Sequence, residues 1–191
     1  NNNNRIKKDN NKEIRIYIVK YPYFNASMYP NGMMNIYTGA LLRISNEAQL
    51  AGLIGHELTH YLRRHSYKRM ESAVKIRGAK TIGNLLFGNA FGLAALALDL
   101  NMAAYNRNDE RECDGYGMAL MARAGYDPIE VSNLWKTINK TTPKRSSGQI
   151  ISYMASHPSV KEREKILRNL SYAVPNEGNK IGLEEYKKNI E

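Results

Sequence analysis

Apolar positions along this chain recur with two different periods. Ile14, Ile16 and Ile18 alternate with Arg15 and Tyr17, the period of a half-buried strand. Asn31-Gly32 stands between Ser27-Met28-Tyr29 and Met33-Met34-Asn35-Ile36-Tyr37. Both turn residues tolerate positive φ, so the spacing predicts a tight hairpin, with Pro30 demoting the adjoining strand to an edge or a bulge. The period then becomes helical. Leu50, Leu53, Ile54, Tyr61 and Leu62 recur through residues 46–65, and Ser45 or Asn46 is placed to accept the first free amide hydrogens. A basic helical run follows to about Arg77, then Thr81 to Tyr105, rich in Leu, Ala and Gly. Asn84, Asn89, Asp99 and several glycines interrupt that stretch, which reads as a buried helical hairpin or a flap rather than a membrane span; contact with a membrane surface stays open. Met102 to Ala124 is helical again and is stopped by Gly125 and Pro128. Asp127-Pro128-Ile129-Glu130 opens another helix, which carries Trp135. Thr141 to Gly148 is a polar basic loop, and Ser156-His157-Pro158 precedes a last amphipathic helix with Ile166, Leu167 and Leu170. The expected class is α+β, mostly helical, with a small antiparallel sheet ahead of the helix over 46–65. Residues 1–13 read as a flexible segment, 14–172 as one domain and 173–191 as a loosely held tail.

Composition changes this picture little. The 191 residues are 42% hydrophobic, enough for a real core. Twenty-eight Lys and Arg against eighteen Asp and Glu give a net charge of +10, but the excess is spread along the chain. With no dense basic tract interleaved with aromatics, it reads as a solvated basic surface and not as a nucleic-acid site. Cys113 is a single cysteine and excludes an internal disulfide. No signal peptide is visible in the polar start NNNNRIKKDNNKE.

Candidate chemistry concentrates in His56-Glu57-Leu58-Thr59-His60. Positions four apart on a helix differ by about 40°, so both imidazoles leave one face and can reach one ion. Glu57 lies beside them, out of line, as suits a general base that does not bind the metal. A catalytic zinc site takes three protein ligands, which leaves two kinds of candidate for the third: a histidine close behind, or a glutamate further on. His65 lies about 140° round the helix from His60 and reads better as a cation in the last turn, beside Arg63 and Arg64. In the Met102 to Ala124 helix, Glu110 and Asp114 share a face while Glu112 points about 200° away from Glu110. That suggests Glu110 as a ligand and Asp114 as the acceptor for the free ring nitrogen of a ligand histidine, His56 first. The bland alternative is a solvated acidic face next to Arg107 and Arg111.

His56-Glu57-Leu58-Thr59-His60 followed by Asn106-Arg107-Asn108-Asp109-Glu110-Arg111-Glu112-Cys113-Asp114 resembles the HtpX-like and BepA-like family of zinc metalloendopeptidases, related to the CAAX prenyl proteases. Asn106 and Cys113 replace the family's serine and alanine, and neither is a ligand position. Asn25-Ala26 and Asn31-Gly32-Met33-Met34-Asn35-Ile36-Tyr37-Thr38-Gly39 look like its edge-strand segment, and His157-Pro158 with Arg163 resembles its late H-P-x-x-x-x-R motif. The resemblance implies a zincin-like metalloprotease domain over 14–172, one Zn2+ per chain, a substrate strand paired along Met33–Ile36, and Arg163 orienting site or substrate groups. By the same resemblance His157 stabilises the oxyanion or occupies the open metal position in a resting form; on sequence alone it is equally a helix-capping residue before Pro158. It also implies unfolded or misfolded protein substrates and a bacterial envelope setting, periplasmic or membrane-associated. The competing expectations are a chaperone-like protein with a latent zinc site and a basic surface module with a chance motif.

Overall fold

In the computed structural model the described residues are 13–69, 71–72, 74–75, 78, 92–141, 157, 160–175 and 178–190. They form strands β1 (Arg15–Val19), β2 (Ala26–Met28) and β3 (Met33–Tyr37), and helices α1 (Thr38–Leu41), α2 (Glu47–Leu62), α3 (Gly92–Arg123), α4 (Ile129–Thr141), α5 (Val160–Ala173) and α6 (Leu183–Ile190). The protein is thus mostly helical with a small sheet.

The hairpin forms where the Asn-Gly pair requires it. Gly32 takes φ +82°, its amide donates to Tyr29 O, and Asn31 Oδ1 accepts from Met33 N. The sheet as a whole is mixed, which corrects the antiparallel expectation. β3 is central, antiparallel to β2 but parallel to β1. Val19 and Ala26 lie level with Tyr37 and Ile36, so residues 20–25 cross the end of β3 and carry the chain from one edge to the other. Thr38 Oγ1 holds that crossing by donating to Tyr21 O and accepting from Tyr21 N. Alternation identified β1 as a strand but not its burial: Ile16 is 50% and Ile18 68% exposed.

α2 runs between two layers. Leu50, Ile54, Leu58 and Tyr61 pack on Met28, Met34 and Ile36 of the sheet. Leu53 joins Met118, Met121, Leu134, Trp135 and Leu167 in the main core. Asn46 is its N-cap, with Oδ1 accepting from Gln49 N at 2.9 Å. Asp127 caps α4 in the same way through Ile129 N, and Gly125, at φ +87°, lets the chain turn out of α3. α3 begins at Gly92, ten residues before the expected start at Met102. The N-terminal segment, most of the flap reading and the loop over 142–148 lie outside the described residues. Among the described residues no helix is long and apolar enough to cross a membrane.

The described residues after Tyr172 are tied down, against the expectation of a loosely held tail. The carbonyls of Gly182 and Ile181 accept from Glu47 N and Ala48 N, two of the first-turn amides of α2 that have no partner within their own helix. Lys180 pairs with Glu47 at 2.6 Å, and the buried Tyr186 donates from its hydroxyl to Leu41 O at 2.6 Å. Burial lifts the Tyr186 pKa to about 12, so it remains a donor across the neutral range. Tyr186→Phe strands the Leu41 carbonyl and is expected to lower stability by about 1 kcal/mol, read as a lower urea midpoint at unchanged slope.

Candidate metal centre

Two helices supply most of the site, and backbone contact sets how closely they approach. A Cβ on Gly55 would lie 2.6 Å from Gly117 O, and one on Gly117 would lie 2.7 Å from His56 N. α2 and α3 therefore touch main chain to main chain, which brings Glu110 and Asp114 of α3 against the histidine face of α2. Residue 157 and Arg163 of α5 close the third side.

His56, His60, Glu110 and His157 are all buried, and one ligand atom from each lies within 4.8 Å of the others. His56 Nε2 and His60 Nε2 are each 3.2 Å from a different oxygen of Glu110. His157 Nδ1 is 2.8 Å from Glu110 Oε2 and 3.4 Å from His56 Nε2. Glu57 is 1% exposed, with Oε1 3.5 Å from His157 Nε2. Asp114 Oδ1 lies 3.0 Å from His56 Nδ1, where the ring can donate to it. Arg163 Nε donates to both Asp114 oxygens at 3.0 Å, its Nη2 also contacts Asp114 and lies 2.8 Å from His56 Nδ1, and its guanidinium stacks 4.5 Å over Trp135.

Charge is distributed unevenly over these groups. Burial and the Arg163 charge push the His56 pKa down, but hydrogen bonds to Asp114 and Glu110 outweigh both and raise it to about 9. Burial prevails at His60 and lowers it to about 4. Burial favours the neutral acid of Glu110, yet its close contacts with the His157, His56 and His60 rings together hold it well below the usual carboxylate range. Asp114 is likewise lowered: burial pushes it up, but the Arg163 charge and the His56 and Arg163 hydrogen bonds together outweigh burial. The Cys113 thiol is pushed far up by burial and stays protonated.

These residues fit a divalent ion. Glu57 Oε1, His60 Nε2 and Glu110 Oε1 are buried without a hydrogen-bond partner among the described residues, a costly arrangement unless something else satisfies them. Two or three imidazole nitrogens with one carboxylate suit zinc in particular.

Met33–Ile36, expected to present the substrate edge, is the central strand, with β1 on one side and β2 on the other; the expectation is corrected because neither side of β3 is open. The edge beside the site is β2. A groove there is lined by Ala26, Met28, Tyr29, Glu57, His60 and His157. Tyr29 N pairs with Met33 O and Asn25 O with Tyr37 N, so strand alternation turns the main-chain groups of Ala26 and Met28 away from β3.

His65 also departs from its expected place as a cation in a last helical turn beside Arg63 and Arg64. It is fully buried against His60, because α2 stops at Leu62 and Arg64 takes φ 58°. Helical periodicity carries no signal for that break.

Residues 4–171 match Peptidase family M48, and the chain belongs to that family. It is 28% identical over 160 residues to the mitochondrial metalloendopeptidase OMA1 of Schizosaccharomyces pombe, covering 78% of this chain and 44% of that one. It is 30% identical over 123 residues to a putative beta-barrel assembly-enhancing protease of Vibrio cholerae (58% of this chain, 25% of that one) and 25% identical over 165 residues to the beta-barrel assembly-enhancing protease of Escherichia coli (80% and 33%). The chain thus spans less than half the length of each of these relatives.

Proposed function

We propose that this chain is a zinc-dependent metalloendopeptidase that hydrolyses peptide bonds of unfolded or misfolded proteins. Zn2+ would be held by His56, His60 and Glu110, one ion per chain. The observation that carries the reading is the convergence of His56, His60 and Glu110 from two helices, with His60 Nε2 and Glu110 Oε1 buried and lacking hydrogen bonds. Bound there, zinc supplies a Lewis acid that polarises the scissile carbonyl and lowers the pKa of a water. Glu57 takes the proton of the attacking water on its unpaired Oε1 and delivers it to the leaving amine. Asp114, clamped by Arg163, accepts from His56 Nδ1 and so turns the Nε2 lone pair toward Glu110. His157 Nδ1 sits among the ligand atoms, which favours a resting role in the open position; released from there, the ring can donate to the developing oxyanion. An extended substrate pairs along the open side of β2, its scissile bond beside Glu57. The unit that does this runs from 14 through the docked C-terminal helix. A bacterial envelope site, periplasmic or membrane-associated, fits the barrel-assembly proteases among the relatives.

Metal analysis of the purified protein beside Glu110→Ala tests the reading. About one zinc per chain is expected in the wild type and loss of it in the variant; equal metal content would overturn the ligand set. Cleavage of unfolded casein, rather than mere holding, separates the enzyme from a chaperone-like protein with a latent site.

The His56 pKa of about 9 gives a second prediction. In the metal-free protein near pH 7.5, His56 carries a proton that it must lose to act as a ligand, whereas His60 is already neutral and Glu110 already ionised. Zinc uptake should therefore release about one proton, and affinity should rise about tenfold per pH unit up to about pH 9. Titration calorimetry in buffers of different ionisation enthalpy measures this; uptake without proton release would show His56 neutral beforehand.

A further inference from the structure

Asp114 explains how His56 is oriented, but among the described residues no carboxylate is hydrogen-bonded to the Nδ1 of His60. What lies there is His65. The left-handed backbone at Arg64 ends the direction of α2, so His65 folds back beneath it and is 0% exposed. His65 Nδ1 is 3.2 Å from His60 Nδ1 and 3.4 Å from Cys113 Sγ. On the other side of the ring, Nε2 is 3.0 Å from Glu112 Oε2 and 3.5 Å from Asp109 Oδ1. The other Glu112 oxygen is paired with Arg63, so that carboxylate is an acceptor and His65 Nε2 carries the proton. In the neutral ring Nδ1 is then a lone pair, and two nitrogens 3.2 Å apart share a hydrogen only if the other one bears it. Donation from His60 Nδ1 meets that condition and leaves the lone pair of its Nε2 facing Glu110 Oε1.

We propose that His65 is a positioning residue for the metal centre, a relay from Glu112 and Asp109 that fixes the tautomer and ring plane of His60. The two histidines of α2 are thereby oriented by different means: His56 by a carboxylate directly, His60 through a second imidazole. His65, Asp109 and Glu112 are also close enough to hold an ion of their own. Against that use, Arg63 already pairs with Glu112 and Arg69 Nε lies 3.9 Å from Asp109 Oδ2.

The inference rests on His60 being a metal ligand, and the test separates the two. Zinc affinity is measured by chelator competition, and the visible absorption of the cobalt-loaded protein is recorded, for wild type, His60→Ala, His65→Leu and His65→Asn. The amide oxygen of the Asn variant takes the place of Nδ1 and can accept from His60, whereas Leu has the same shape and no acceptor. His65→Leu is expected to weaken zinc binding roughly ten- to a hundredfold and to shift the cobalt bands, with His65→Asn recovering most of the affinity and the wild-type spectrum. Equal losses in both His65 variants, or none in either, overturn the relay. Two zinc ions per wild-type chain, with one lost in both variants, overturn it in favour of a second metal site. Binding unchanged in His60→Ala sinks the underlying ligand assignment instead. Should His65→Leu not fold, the cobalt spectrum of His65→Asn decides: wild-type bands support the relay and altered bands refute it.

Discussion

Glu57→Gln is expected to keep its zinc at wild-type stoichiometry while peptide hydrolysis falls by about 10²- to 10⁴-fold. The substitution preserves volume in a site where Glu57 is 1% exposed, so packing is not the variable. What it removes is a carboxylate that can take up and return a proton. Glu57 is absent from the cluster of close ligand atoms formed by His56, His60, Glu110 and His157, so its loss leaves the ion's ligands in place. Turnover of a fluorogenic peptide, with metal analysis of the same sample, checks both halves. Undiminished turnover would remove Glu57 as the base; loss of the metal would make it a ligand.

Gly117→Ala is the second large effect, although residue 117 touches no substrate and binds no ion. Its Cβ would press on His56 N at 2.7 Å and on Gly55 C at 2.8 Å, and main-chain atoms cannot swing aside. α2 and α3 must part, at about 1–3 kcal/mol of stability. The same movement draws Glu110 and Asp114 away from His56 and His60, so zinc affinity should fall about tenfold or more. Gly115→Ala on the same helix is the control, because a Cβ there meets nothing within 4 Å. It is expected to gain about 0.5–1 kcal/mol from the lower entropy of its unfolded chain. Thermal melts and chelator competition on the pair distinguish a specific close approach from a general intolerance of α3 to side chains.

The legible features were those written in local spacing. His56 and His60 share a face because four residues nearly complete a turn, and Asn31-Gly32, Asn46 and Asp127 each announce a turn or cap within a few positions. Glu110 and Asp114 were readable as a pair by the same rule, and the structure brings both to the histidine face. Features set by the path of the chain were not readable. The parallel pairing of β1 depends on residues 20–25 crossing the end of β3, and this crossing also put β2, not Met33–Ile36, at the open edge. The place of His65 is not legible because helical spacing carries α2 past Leu62, whereas the left-handed backbone at Arg64 ends its direction. The C-terminal helix is only eight residues long, and the carbonyls of Ile181 and Gly182 that tie its approach to α2 leave no trace in side-chain pattern.

Those two carbonyls bear on the order in which the protein matures. During synthesis the segment bearing His56, Glu57 and His60 leaves the ribosome long before residues 181 and 182, and until they arrive its leading amides must bond to water. The start of that helix therefore stays prone to fraying in a nascent chain. Closure of that end of the histidine-bearing helix thus waits until residues 181 and 182 have been made.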